Sequence, residues 1–180
     1  VPLGVAAALK RNRFVDYAVR IGSLLGLSFP PFVSALLLLL GFAIILHWFP
    51  VISARSGSFE AWYQSITLPA INLGLITAAY ITRVTRSAML EVLQEDYVRT
   101  ARAKGVPWPV VIWRHAMRNA LIPITTLAGM HLGAMLGGAV VVETIFGLPG
   151  IARTAFDAVF DRDTNMLLGV MFLRSEEHTS

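Results

Sequence analysis

The chain has 180 residues, of which 56% are apolar and 14% charged, and its mean hydropathy is +0.65. A soluble globular domain carries about 25% charged residues, and the apolar residues here bunch into runs of the length a bilayer demands, which excludes a water-soluble fold. The net charge of +4 sits in short basic stretches between those runs, which argues against nucleic-acid binding, and the absence of cysteine removes disulfide frameworks and thiolate metal sites.

In chain order, residues 1–9 are apolar and end at Lys10-Arg11-Asn12-Arg13. They read as the cytoplasmic end of a span truncated at Val1, and no signal peptide is visible. Residues 14–29 mix Asp16 and Arg20 with apolar positions and suit a helix at the membrane interface. Pro30-Pro31 breaks that helix, because proline lacks the backbone donor and clashes with the preceding turn. Residues 32–48 carry no charge and are expected to cross the membrane, with His47 and Trp48 in an interfacial belt. A polar loop over 49–65 comes next, and residues 66–82 form a second uncharged run containing Pro69 and Gly74. The stretch 83–119 is long and basic. Residues 120–142 form a full-length span whose ionisable residue is His131, and 143–163 is a polar and aromatic loop. A last apolar run, 166–173, stops at Arg-Ser-Glu-Glu-His-Thr-Ser (174–180). That heptapeptide fits no helix continuation and matches the translation of a common sequencing adapter. It is expected to be a non-native tail, with a genuine hydrophilic terminus as the alternative.

Lysine and arginine set the orientation. Lys10, Arg11, Arg13 and Arg20 lie in the first basic stretch, and Arg83, Arg86, Arg99, Arg102, Lys104, Arg114 and Arg118 in the second. The alternate loops hold Arg55, Arg153 and Arg162. Eleven basic residues against three place the first pair of stretches in the cytoplasm. The alternation of spans agrees with this.

Loop 83–119 reads as helical throughout. Residues 83–95 are good helix formers that extend the preceding span. Asp96 is expected to N-cap a short helix over 97–104, Gly105 to be its C′ residue, and Pro107 to prevent continuation. A second short helix, about 109–119, then leads back to the membrane. Two short helices joined at a glycine make a compact knob.

Asp-Tyr-Val-Arg-Thr-Ala-Arg-Ala-Lys-Gly (96–105), with Arg-His-Ala-Met-Arg-Asn-Ala-Leu-Ile-Pro (114–123) after it, resembles the EAA loop of binding-protein-dependent ABC importer permeases. Within that superfamily the dipeptide, oligopeptide and nickel branch is most similar. Residues 3–13, 23–32 and 133–150 agree in order, and the resemblance covers 1–173. Thr100-Ala101-Arg102-Ala103 departs from the Glu-Ala-Ala consensus, a departure common in the peptide branch. The resemblance implies an all-α, polytopic, type I ABC importer permease core in a bacterial or archaeal plasma membrane, truncated at both ends. It also implies that the loop docks as a coupling helix on cytoplasmic ATPase subunits. The expected partners are two such ATPases, a second homologous permease, an external substrate-binding protein and membrane lipid. ATP and Mg belong to the ATPases, and no cofactor is expected in this chain. The residues themselves suit docking: Tyr97 as an aromatic anchor, Ala101 and Ala103 small enough for close approach, Gly105 for the turn, and Arg99, Arg102 and Lys104 for acidic partners. The alternative is that these charges only set topology and meet lipid phosphates.

Gly129, Gly133 and Gly137 recur every four residues on one helical face, the spacing of a packing seam, with a place along the translocation path as the other reading. Gly22 and Gly26 repeat the pattern weakly. His131 is an intramembrane ionisable residue, either functional or a neutral imidazole bonded to a neighbouring helix. Glu143, Pro149 and Gly150 are expected at the periplasmic face, where 147–150 forms a turn and 151–160 a short amphipathic helix, with Asp157, Asp161 and Asp163 nearby. No P-loop, nucleophile elbow, zincin motif or carboxylate pair occurs, so no catalytic role is expected. An ion-coupled secondary transporter or channel is the competing class. It would more often place paired acids or histidines inside spans, whereas His131 stands alone there.

Overall fold

The computed structural model describes residues 1–51, 59–161, 166, 168 and 169, apart from the side chains at 136–138, 151 and 152. All its elements are helical among the described residues: α1 (Pro2–Leu9), α2 (Phe14–Ser28), α3 (Pro31–Leu38), α4 (Phe59–Val92), α5 (Asp96–Ala103), α6 (Trp108–Val110), α7 (Met117–Ile145) and α8 (Ile151–Phe160). Two π-helical segments, Leu39–Ile45 and Val111–Ala116, lie directly after α3 and directly before α7. Arg55, Arg162, Asp163, most of the last apolar run and the 174–180 tail fall outside the described residues.

α4 absorbs three predicted pieces. No glycine or proline interrupts residues 59–68, so the helix begins inside the predicted loop and continues past residue 82 as expected. At 34 residues it is about 50 Å long against a hydrocarbon core of about 30 Å. Among the described residues it alone meets the length and apolarity needed to cross a membrane, and up to three spans do if consecutive helix pairs are each taken as one. The predicted 32–48 span is shorter than expected. Helix geometry stops at Ile45: the Leu46 N–H makes a final π-type bond to the Gly41 carbonyl at 3.0 Å, and His47 then leaves the helix with a left-handed φ of 54°. Trp48 then folds back, its N–H on the Phe42 carbonyl at 2.9 Å and its ring 5.7 Å from that of Phe42. The predicted 109–119 helix is not separate either: α6 and the π-helical turn run directly into α7.

The chain divides into two compact units. The first, Val1–Ser28 with Leu75–His131, is built on Val5 and Ala8 of α1, Ala88 and Met89 of α4, and Ile112, Ala116, Met117, Ala120 and Ile124. Alanine dominates because the backbones approach closely: a Cβ added at Gly4 would lie 2.6 Å from the Thr82 carbonyl oxygen, and one at Gly26 would lie 2.9 Å from Ala79 Cβ. The second, Phe29–Gly74 with Leu132–Ser180, is built on Ala35, Ala43, Leu68, Val142 and Phe146. There the buried Asn72 of α4 donates from Nδ2 to the Pro31 carbonyl at 3.1 Å, which satisfies an amide inside an apolar run.

Candidate functional site

The loop after α4 is ordered by its own side chains. α4 ends at Val92, and Glu95, with extended φ/ψ of −66° and 147°, redirects the chain into α5. Asp96 is not the N-cap; Glu95 holds that position without a side-chain cap bond, and Asp96 is the first helical residue. Its carboxylate instead accepts from Arg99 Nη1 at 3.4 Å, an exposed contact that contributes little. Val98, 1% exposed, is the buried residue of α5.

Two side-chain contacts tie α5 to the helices after it. Asn119 Nδ2 donates to the Tyr97 hydroxyl at 2.7 Å, linking the first turn of α5 to the first turn of α7. The Arg102 guanidinium lies over the Trp108 ring at 4.8 Å, linking the last turn of α5 to α6. Between them, Gly105 takes φ +78°. Its N–H bonds the Arg102 carbonyl at 2.9 Å, and the Val106 N–H bonds the Ala101 carbonyl at 3.2 Å. That is a Schellman termination, which needs a left-handed C′ residue. Tyr97, Arg102 and Gly105 are therefore parts of one clasp, while Arg99, Ala103 and Lys104 are exposed and Ala101 is half buried. Trp113, 64% exposed on the π-helical turn, adds an aromatic to the loop surface that no motif in the sequence marks.

A second relationship fixes α2 to the charged end of α4. Arg86 donates from Nε and Nη2 to the two Asp16 carboxylate oxygens at 2.5 and 2.9 Å, and the Asn12 N–H reaches the same carboxylate at 3.0 Å. Asp16 is fully buried. The Arg86 hydrogen bonds outweigh the opposing effect of burial and bring its pKa down to about 2. From the sequence Arg86 counts only as a topology charge. An ion pair between residues 70 apart leaves no local sequence signal.

In α7, a Cβ added at Gly129 meets nothing within 4 Å, so among the described residues the expected seam has no partner helix at that position. Gly133 is half buried, and the side-chain environment of Gly137 lies outside the described residues. His131 meets a neighbouring helix through its ring and not through the expected hydrogen bond. The ring stacks on Tyr80 at 4.1 Å with 15° between planes, and Nε2 is buried without a hydrogen-bond partner among the described residues.

Glu143 and Gly150 come together. α7 ends in a second Schellman turn, with Gly147 at φ +64° and the Leu148 N–H on the Glu143 carbonyl at 2.8 Å. The Glu143 side chain reaches over the start of α8, where Oε2 accepts from the Arg153 N–H at 2.7 Å, and a Cβ at Gly150 would collide with the carboxylate. Glu143 thus caps the helix after its own, a role that its place at the end of the 120–142 run does not announce. Pro149 is exposed. No group of three or more metal-ligating side chains occurs among the described residues.

The chain is 46% identical over 182 residues to a di/tripeptide transport system permease protein DppB of Pseudomonas aeruginosa, a match that covers 89% of the chain and 54% of that relative. It is 41% identical over 195 residues to a dipeptide transport system permease protein DppB of Haemophilus influenzae, covering 95% of the chain and 58% of the relative. It is also 41% identical over 175 residues to a glutathione transport system permease protein GsiC of Salmonella choleraesuis, covering 97% and 55%. The chain spans about half the length of these curated relatives. Residues 1–173 match the family model as well, and the chain belongs to the binding-protein-dependent transport system inner membrane component family.

Proposed function

We propose that this chain is part of the permease subunit of an ATP-driven importer, and that α5 with its Gly105 turn is the element on which cytoplasmic ATPases act. The subunit itself catalyses nothing; ATP and Mg bind the ATPases. The complete assembly pairs this permease with a homologous one, two ATPases and an external binding protein. Peptides are the proposed cargo, which the di/tripeptide, dipeptide and glutathione transport named for the relatives supports.

The observation that carries the coupling role is the clasp itself. A loop that transmits force has to move as a body, and here the Asn119–Tyr97 hydrogen bond, the Arg102–Trp108 contact and the Gly105 turn hold α5 against the start of α7. A displacement of α5 is thereby delivered to a helix long enough to reach into the membrane. Arg99 and Lys104 remain exposed for acidic groups on a partner.

Deleting 96–105 in the complete permease tests this reading. The expected result is that the ATPases no longer co-purify with the permease while its membrane insertion is unchanged. Undiminished ATPase retention would count against it.

A further inference from the structure

Within the first unit, a cavity of about 620 Å³ opens beside α2, the charged end of α4 and the early part of α7. That volume is in the range of small-molecule sites. Its charged lining is Arg20 from α2 and Arg83, Arg86 and Glu91 from α4, with the hydroxyl residues Ser23 and Ser87 beside them. These groups are not equivalent. Arg86 is committed to Asp16. Arg20, Arg83 and Glu91 make no ion pair among the described residues, and the Arg20 guanidinium lies 6.0 Å from the Tyr17 ring. The cavity therefore presents two guanidiniums and one carboxylate that no ion pair neutralises.

The surface beside it is apolar. Tyr17, Ile21, Leu24 and Leu25 of α2 are 50%, 57%, 54% and 59% exposed. Their spacing of i, i+4, i+7 and i+8 puts them on one helical face. Asp16, Arg20 and Ser23, at i, i+4 and i+7, form the adjoining face. α2 thus turns Arg20 and Ser23 to the cavity and carries an apolar stripe next to them.

We propose that this cavity holds the headgroup of an aminophospholipid. Its phosphodiester lies against Arg20 and Arg83, its ammonium against Glu91, and its chains along the Tyr17–Leu25 stripe. A paired guanidinium site is suited to phosphate oxygens, and basic pockets between membrane helices bind lipid headgroups. Free phosphate would use the arginines but leave Glu91 unanswered and the stripe bare. A zwitterionic peptide would answer all three charges but not the stripe.

The test uses the complete permease assembled with its partners, in nanodiscs of equal parts phosphatidylethanolamine, phosphatidylglycerol and phosphatidylcholine. Lipid retained per transporter after detergent exchange is the readout. Phosphatidylethanolamine is expected to be enriched, and R83Q to cut its retention about tenfold, the loss of one hydrogen bond to a charged group. E91Q is expected to keep lipid bound but abolish the preference for phosphatidylethanolamine over phosphatidylglycerol. Should R83Q fail to assemble, the headgroup preference of E91Q alone decides. Equal retention of all three lipids, displacement of the lipid by inorganic phosphate or by a dipeptide, or occupation of the cavity by the permease's own polypeptide would overturn the proposal.

Discussion

The Tyr97 hydroxyl accepts a hydrogen bond from Asn119, 22 positions further along the chain. That bond closes the loop between α4 and α7 into a single body. Tyr97→Phe removes only the acceptor, and Asn119→Ala only the donor. Each is expected to lower thermal stability of the assembled permease by about 0.5–1.5 kcal/mol, the net value of one hydrogen bond. The double variant should be no worse than either single one; additive losses would show that the two side chains act independently.

Gly105 is constrained by conformation and not by space, since an added Cβ meets nothing within 4 Å at its φ of +78°. Substitutions are therefore expected to rank by tolerance of the left-handed region: Gly105→Asn mildest, Gly105→Ala at about 1–2 kcal/mol, and Gly105→Val worse. Hydrogen exchange of the Val106 amide, which the turn protects, reads this directly. A rank that tracked side-chain volume alone, with Asn as bad as Val, would point to a crowded site instead.

Asp16 and Arg86 form the buried ion pair of the first unit. Asp16→Asn leaves a largely buried guanidinium without its anion and is expected to cost about 3–5 kcal/mol, whereas Asp16→Leu with Arg86→Met is expected to be close to neutral. Because Arg86 lowers the Asp16 pKa to about 2, the pair contributes fully above the ordinary carboxylate range and is lost as pH falls through about 2. Thermal stability of wild type and Asp16→Asn should thus differ by the same amount from pH 5 to pH 8. A gap that closes within that window would contradict the pairing.

Glu143 accepts the Arg153 amide at the start of α8 while Gly150 leaves room for its carboxylate. Glu143→Gln keeps an acceptor and is expected to be milder than Glu143→Ala, which loses about 1 kcal/mol of cap and dipole stabilisation. Gly150→Ala pushes the flexible carboxylate off the cap and is expected to cost no more than Glu143→Ala, measured as amide exchange across α8.

Much of this is legible in the sequence, for physical reasons. Uncharged runs and proline breaks announce membrane helices, and Gly105 before Pro107 announces a helix stop, because each signal is local. The family resemblance rests on that loop together with residues 3–13, 23–32 and 133–150. Asp96 misleads because its preference for caps competes with its equal suitability for a first helical turn, and Glu95 already takes the extended position. The 32–48 run promises a full span, but composition does not reveal the π-helical stretch or the left-handed His47 that end it early. Asp16–Arg86, Tyr80–His131 and Asn119–Tyr97 join residues far apart in the chain, and a single sequence has no way of pairing them.

The coupling role of α5 is the claim on which the functional reading stands. A photo-reactive cross-linker at Ala103, exposed at the end of α5, tests it most directly in membranes that contain the complete transporter. The expected product joins the permease to an ATPase subunit, and its yield changes between nucleotide-free and ATP-bound states. Adducts formed only with lipid, or with a protein on the opposite side of the membrane, would contradict the account.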